Sequence, residues 1–300
     1  MESDGKINTC VVQKSRLTFD GHSFYKRLMK LAGKVAVVTG ASMGIGEAIS
    51  KLFVDEGASV VMSSRDEART EEARRRIGHP DRTLGIVCDV RNREDLDRLL
   101  SLTLHNFGHI DIWVNNAGYG LADSIASMNM DQCRAMFDTN LFGAIAGMQV
   151  VTPVFVRQGS GTIINISSVA GHIPVPYKGA YSATKFALNA IGKAARIELK
   201  DTGVNILTVC PGYISTNFSK NVVRGRELKR LGGPVRRGPT PDVVARATLD
   251  GYLKGKREVV TPWSNGLMVK FYQIWPGAVE WAMRRMVQEG DEQIQTTVAR

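Results

Sequence analysis

From Lys34 onward, short β-branched runs alternate with longer helix-forming stretches, and this alternation restricts the fold more than any other feature of the chain. The runs at 35–39, 59–63, 83–88, 111–115, 162–167, 204–210 and 258–261 read as strands. The stretches near 46–56, 66–76, 92–107, 127–150, 178–200 and 241–254 read as helices. Strand and helix in succession imply parallel strands joined by right-handed crossovers. The runs are apolar throughout, as expected of a parallel sheet covered on both faces. The predicted fold class is α/β: a single Rossmann-like doubly wound parallel sheet of about seven strands. Residues 1–33 precede it as an N-terminal extension in which 23–32 could form a short basic amphipathic helix. Residues 34–262 form the domain, and 263–300, with three of the four tryptophans, form an extra C-terminal helical tail.

With 43% hydrophobic and 23% charged residues, this 300-residue chain can bury one large core. No apolar run approaches the roughly 20 residues of a membrane-spanning helix. Residues 1–20 lack the apolar centre of a secretory signal. The four cysteines (Cys10, Cys88, Cys133, Cys210) form no CxxC and have no histidine at metal-ligand spacing. That argues for a reduced, cytoplasmic setting and against a metal site. The net charge of +10 is uneven: seven Lys or Arg and one acid, Glu227, lie between Lys220 and Arg237. No aromatic interleaving or helix-turn-helix pattern accompanies them, so nucleic acid is not the expected partner. A phosphorylated cofactor, an anionic substrate or acidic carrier, an anionic membrane surface, or a solvated helix face each accounts for the charge.

The first predicted strand runs into Thr39-Gly40-Ala41-Ser42-Met43-Gly44-Ile45-Gly46 and then a helix. Gly40 lets the turn close, Gly44 lets backbone approach a pyrophosphate, and Gly46 permits close helix–strand packing. The helix N-terminus offers N–H groups and a positive dipole end to the phosphates. At the end of the second strand, an acid would hold the ribose 2′-hydroxyl of NAD. Ser64 and Arg65 stand there instead, and a guanidinium suits a 2′-phosphate, which points to NADP(H). Asp66 is expected to cap the next helix.

Tyr181 and Lys185 lie at i and i+4 of a helix-forming stretch and so share a face. A phenol with a pKa near 10 needs help to exchange protons at neutrality, and a nearby ammonium should lower it. Such a pair can serve as general acid and base in carbonyl chemistry. Taken alone it equally describes a packed tyrosine and a snorkelling lysine. Its company decides: Ser168 ends the fifth strand, where its hydroxyl could hold the oxygen that Tyr181 protonates. Asn115-Asn116-Ala117-Gly118 ends the fourth strand, Asn140 lies in the following helix, and Pro211-Gly212 closes the sixth.

From about Gly33 to Pro262 these motifs, with Asp89, resemble in order those of the short-chain dehydrogenase/reductases. The resemblance implies Tyr181 as acid/base and Ser168 as partner of the substrate oxygen. It implies that Lys185 binds the nicotinamide ribose and depresses the Tyr181 pKa, and that Asn140 holds a relay water. Ser42, Met43 and Ile45 would join the glycines of the phosphate loop, Asp89 would contact adenine with Val90 beside it, and Asn116, Ala117 and Gly118 would line the cofactor. Beyond Pro211 and Gly212, Ile214 and Thr216 would hold the carboxamide. Ser167 competes with Ser168, but the thirteen-residue spacing to Tyr181 favours the latter. Met43 departs from the basic residue that many NADP-using members carry.

The loop 169–179 is largely apolar (Val169, Ile173, Pro174, Val175, Pro176), whereas 213–238 is basic. The apolar loop suggests a small lipophilic carbonyl or alcohol as substrate, and the basic segment either an anionic substrate or carrier or a solvated helix face. No histidine fits a catalytic slot, although His172 could border the substrate. In the tail, Leu267, Phe271, Ile274 and Trp275 share one helical face, and Val279, Met283 and Met286 a second. Those stripes suit peripheral membrane contact or packing on the domain or a partner copy. The family resemblance also implies a homo-oligomer. The competing readings are an NAD-dependent alcohol dehydrogenase running oxidatively and a catalytically silent cofactor-binding scaffold.

Overall fold

The computed structural model describes residues 29–216, 218, 222–225 and 238–285. Nine strands are present among them: β1 Val35–Thr39, β2 Ser59–Ser64, β3 Thr83–Val87, β4 Ile112–Asn115, β5 Leu121–Ala122, β6 Gly161–Ile166, β7 Val204–Pro211, β8 Val223–Arg224 and β9 Glu258–Thr261. The helices are α1 Gly44–Asp55, α2 Glu67–Ile77, α3 Arg93–Phe107, α4 Met130–Phe137, α5 Gly143–Gln158, α6 Gly179–Glu198, α7 Pro241–Leu253 and α8 Trp263–Ile274. Seven strands form one sheet in the order β3-β2-β1-β4-β6-β7-β9, every neighbouring pair parallel. The doubly wound α/β expectation and its seven strands hold. Strand order reverses between β1 and β4, where Val38 pairs with Val114, so a crevice opens beyond both carboxyl ends.

Residue choice explains the elements. All five residues of β1 and all four of β4 are buried, which continuous β-branched and aromatic side chains satisfy. Asp66 caps α2 by accepting from Arg69 N–H, as expected, and Asn92 and Asn129 cap α3 and α4 in the same way. One face of the sheet packs Ile49 and Phe53 of α1 and Val244 and Leu249 of α7 against Val38, Val60 and Leu207. The other packs Leu96 and Leu99 of α3 and Val151 and Phe155 of α5 against Val37, Trp113 and Ile163. Leu31, 1% exposed, joins the first of these, so the packed body begins just before β1. Most of the helix expected over 23–32 and most of the basic run lie outside the described residues, and 30–32 form a turn.

Three departures matter for the site. The stretch expected as one helix over 127–150 reaches Gln158 and is interrupted by a π turn, Asp138–Phe142. The helical run 130–158 is apolar and long enough to cross a membrane by composition, but it is largely buried against the sheet as a core element. A parallel pair, β5 and β8, registers Leu121 with Val223 beside the site. The tail forms α8 and a second helical segment over 276–285. Val269 and Val279 dock on Val169 and Ile173 with Tyr272 and Met283 alongside.

Candidate active site

β1 and β4 deliver their turns side by side. Gly40 has φ +64°, and a Cβ there would stand 2.8 Å from Ala117 Cα, so only glycine permits the approach. Asn116 Nδ2 donates to the carbonyls of Thr39 (2.9 Å) and Gly40 (3.0 Å). Thr39 Oγ1, which sequence reading passed over, accepts from Asn116 and Ala117 N–H at 3.0 and 3.1 Å and donates to Val114 O. A Cβ on Gly46 would collide with Gly40 O and Asn116 Nδ2. Helix α1 therefore starts hard against the crevice, with no side-chain cap at Met43, leaving the end of its dipole for an anion. Gly44, φ +62°, faces Thr216 across 3.7 Å at the Cβ position. The cradle between the phosphate loop and the β7 loop is thus lined by glycine and threonine, which fits a pyrophosphate.

At the far end, four arginines surround the close of β2. Arg69 pairs with Asp66, Arg76 with Glu47 and Glu72, and Arg91 with Asp89. Arg65 is exposed and makes no ion pair among the described residues, though its field reaches Asp89. Ser64 is committed elsewhere: its hydroxyl lies 2.6 Å from Thr70 Oγ1 and accepts from Asp66 N–H. Arg91 holds the Asp89 carboxyl below the usual carboxylate range. Asp89, Val90, Phe142 and Gly143 line a cavity of about 500 Å³, a suitable size for an adenine end. Ile214 is buried in the core, so only its main chain and the side chain of Thr216 remain for a carboxamide.

The expected catalytic residues do come together. Asn140, 1% exposed on the π turn, accepts from Tyr119 N–H (2.9 Å) and donates to Tyr119 O (2.8 Å) and, at 3.4 Å, to Thr184. Its side chain thereby pins the loop after β4, and a π turn frees main-chain groups at such a point. Ser168 Oγ accepts from Ala170 N–H and lies 3.4 Å from Pro211 O. Ser167 is buried, its hydroxyl 3.3 Å from Lys185 O, so it turns away from the rim. Lys185 Nζ donates to Ile166 O at 2.9 Å and sits 5.8 Å from the Tyr181 ring centroid. Phe218 packs tilted against Tyr181 at 5.8 Å.

Electrostatics corrects one expectation. Burial pushes the Tyr181 phenol up to about 12, and the hydrogen-bonding Ser168 hydroxyl pulls the other way without prevailing. Lys185 is itself brought down to about 8 by burial. In the protein alone, burial therefore keeps Tyr181 protonated, as a proton donor. Of the apolar loop, Val169 and Ile173 lie under the tail, while Pro174 and Pro176 are exposed. His172 turns its Nε2 toward Cys210 Sγ, at 3.4 Å. A cysteine thus has a histidine partner 38 residues away in sequence, a proximity made only by the fold.

A doubly wound sheet with a glycine turn at its switch point and a tyrosine–lysine pair at the same rim defines a nicotinamide-type oxidoreductase scaffold. Comparison with known proteins narrows this. Residues 34–227 match the family model described as short chain dehydrogenase. An uncharacterized oxidoreductase of Staphylococcus epidermidis is 38% identical over 202 residues, covering 67% of this chain and 87% of that protein. Dehydrogenase/reductase SDR family member 7B of Danio rerio is 32% identical over 246 residues, covering 78% and 79%. Among solved structures, a short chain dehydrogenase/reductase from Burkholderia phymatum in complex with NAD superposes with TM-score 0.74 at 24% identity, covering 82% of this chain and 95% of that one. The 3-ketoacyl-(acyl-carrier-protein) reductase of Brucella melitensis complexed with NADH gives 0.69 at 28% identity, covering 77% and 98%. The chain belongs to the short chain dehydrogenase family, and it is an oxidoreductase.

Proposed function

We propose that this protein is an NADP(H)-dependent oxidoreductase that interconverts a lipophilic ketone or other carbonyl with its alcohol, Tyr181 serving as general acid and base. The grouping of Ser168, Tyr181 and Lys185 at one strand rim carries the reading. The cofactor would supply or receive the hydride. Ser168 orients the substrate oxygen, Tyr181 hands it a proton in reduction and takes one in oxidation, and Lys185 places a positive charge beside the phenol while protonated. Asn140 keeps the Tyr119 loop against this rim. Gly40, Gly44, Gly46, Asn116, Ala117 and Gly118 would hold the pyrophosphate and nearer ribose, and Thr216 the carboxamide. The apolar company of Tyr181 (Phe218, Leu121, Met128, Val223) favours a greasy substrate.

Arg65, which makes no ion pair among the described residues, supports NADP(H) over NAD(H), whereas the NAD and NADH held by the two structural relatives favour the other cofactor. Titrating NADPH and NADH by nicotinamide fluorescence decides; tighter NADH binding would sink the Arg65 argument. For the chemistry, Tyr181→Phe should lower carbonyl reduction by about 10²–10⁴-fold, with cofactor binding retained. Unchanged turnover of every carbonyl tested would refute Tyr181 as the acid and base, and a native chain that turns over none of them would leave a scaffold as the better account.

The tail supports a second proposal, peripheral membrane contact. Trp263, Leu267, Ile274 and Trp275 are 77, 58, 76 and 66% exposed, and Arg285 stacks on the exposed Trp281 at 4.3 Å. The packed face of this tail is thus the opposite one, bearing Val269 and Val279. Exposed tryptophans with flanking arginines suit an anionic interface. A homo-oligomer through α6 is proposed on the same kind of ground, from exposed Phe186 and Ile197 about three turns apart on one face. Light scattering of Phe186→Glu against the native chain tests it, and an unchanged mass refutes this interface.

A further inference from the structure

Three side chains from three elements meet outside the catalytic rim. His172 lies on the loop after β6, Cys210 is the next-to-last residue of β7, and Glu258 opens β9. Cys210 Sγ stands 3.4 Å from His172 Nε2, and Glu258 Oε1 stands 3.5 Å from the same nitrogen. Ligand atoms of all three fall within 4.8 Å of one another. Cys210 is fully buried and the His172 side chain is 8% exposed, while Glu258, at 32%, leaves a way in from solvent.

A cysteine, a histidine and an acid could instead form a nucleophilic relay. In such a relay the thiol and the carboxylate use opposite ring nitrogens, so that one pulls while the other gives up its proton. Here both converge on Nε2. Sulfur, nitrogen and oxygen gathered about one point is an arrangement that a cation satisfies, whereas a proton on Nε2 or on Sγ makes a full hydrogen bond to only one neighbour.

We propose that His172, Cys210 and Glu258 form a binding site for a divalent cation of the zinc class. A tetrahedral ion with bonds near 2.3 Å to sulfur and 2.0–2.1 Å to nitrogen holds those atoms about 3.5 Å apart, and nitrogen and oxygen about 3.4 Å apart. The observed 3.4 and 3.5 Å need little adjustment. Thiolate and carboxylate balance the two positive charges, and the thiol proton leaves to solvent on binding. The thiolate and imidazole select a borderline-soft metal over magnesium or calcium. Three protein ligands leave a fourth position for water.

Competition is local and weak. Lys193 Nζ lies 3.9 Å from Glu258 Oε2 on a half-exposed side chain that can swing away. Asn189 gives up two long contacts, Nδ2 to His172 Nε2 at 3.4 Å and Oδ1 accepting from Cys210 Sγ at 3.9 Å, and keeps Nδ2 to Gly171 O at 2.9 Å. Because the ligands tie the loop after Ser168 to β7 and β9, the ion pins the strand ends on which the substrate side is built.

Titration of the full chain with cobalt(II) chloride, a spectroscopic substitute for zinc, tests the proposal. One equivalent should produce a near-ultraviolet thiolate-to-cobalt charge-transfer band, bleached by zinc chloride. Cys210→Ser should abolish the band and Cys10→Ser should retain it. Glu258→Gln, partly exposed and therefore safe for folding, should weaken cobalt affinity about tenfold or more. No band in the native chain overturns the site, as does a band of unchanged affinity in Glu258→Gln. If circular dichroism shows that Cys210→Ser fails to fold, the Glu258→Gln affinity alone decides.

Discussion

Lys185 holds its ammonium in a position only 5% exposed, with Ile166 O as acceptor at 2.9 Å. Burial takes its pKa from 10.5 to about 8, a gap worth about 3 kcal/mol. The folded state therefore binds fewer protons than the unfolded chain between those values. The penalty is present in full below about pH 8 and disappears as pH rises to 10.5. Lys185→Met should remove that penalty, while leaving Ile166 O without a donor costs about 1–3 kcal/mol. The expected net result at pH 7 is a gain of the order of 1 kcal/mol in urea unfolding, with turnover lost and the gain shrinking toward pH 10.5. A Lys185→Met protein less stable at pH 7 would contradict this. At Arg65 the expectation is selective: Arg65→Ala should weaken NADPH by about 10–100-fold, the worth of a charged hydrogen bond, and leave NADH unchanged. Equal loss for both cofactors would mean that Arg65 does not meet a 2′-phosphate.

Among the elements, α1 is placed by an absent side chain. The Cβ of Gly46→Ala would meet Gly40 O and Asn116 Nδ2, both fixed by the β1–β4 hydrogen bonds. Helix α1 would have to retreat from the crevice, at about 1–3 kcal/mol, and carry its N-terminus away from the pyrophosphate. Lower thermal stability together with lost cofactor fluorescence is expected; unaltered cofactor affinity would show that the crevice does not hold it. That turn was legible in the sequence because three glycines at fixed spacing follow a buried strand. The seven strands were legible because a parallel sheet buries both faces, so its runs need no partner to be seen. β5 and β8 were not, since two residues carry no period. The π turn was hidden because Asp138–Phe142 reads as helix and differs only in its hydrogen bonds. The tail's periodicity was visible, but which stripe docks was not: Val269 and Val279 won because they meet Val169 and Ile173. The exposed stripe predicts that anionic vesicles co-sediment with the full chain and less with residues 264–300 removed. No difference would leave the stripe without a membrane role.

On the scale of the whole molecule, the candidate catalytic residues were legible as motifs, but their electrostatics was not. The direction of the Tyr181 shift depends on how much low-dielectric protein closes around it, and that is a property of the assembled sheet. The same is true of His172, Cys210 and Glu258, whose separation in sequence hides their convergence. The candidate catalytic rim lies beyond the ends of β6 and β7, the cluster joins Cys210 near the end of β7 to Glu258 at the start of β9, and the crevice spans the ends of β1, β2 and β4. A ligand that touches β1, β4 and β7 together binds only the folded state, so its binding free energy adds to that of folding. At a hundredfold excess over its dissociation constant the gain is about 2.7 kcal/mol. At about 2–4 °C per kcal/mol, the melting temperature should rise by about 5–10 °C. With equal concentrations of the two cofactors, the Arg65 reading requires NADPH to give the larger rise in the native chain, and Arg65→Ala should bring the two rises together. Differential scanning fluorimetry of both proteins with each cofactor measures this. Equal shifts in the native chain would remove the 2′-phosphate preference while leaving the crevice intact, and no shift with either cofactor would remove the crevice itself as a nicotinamide site.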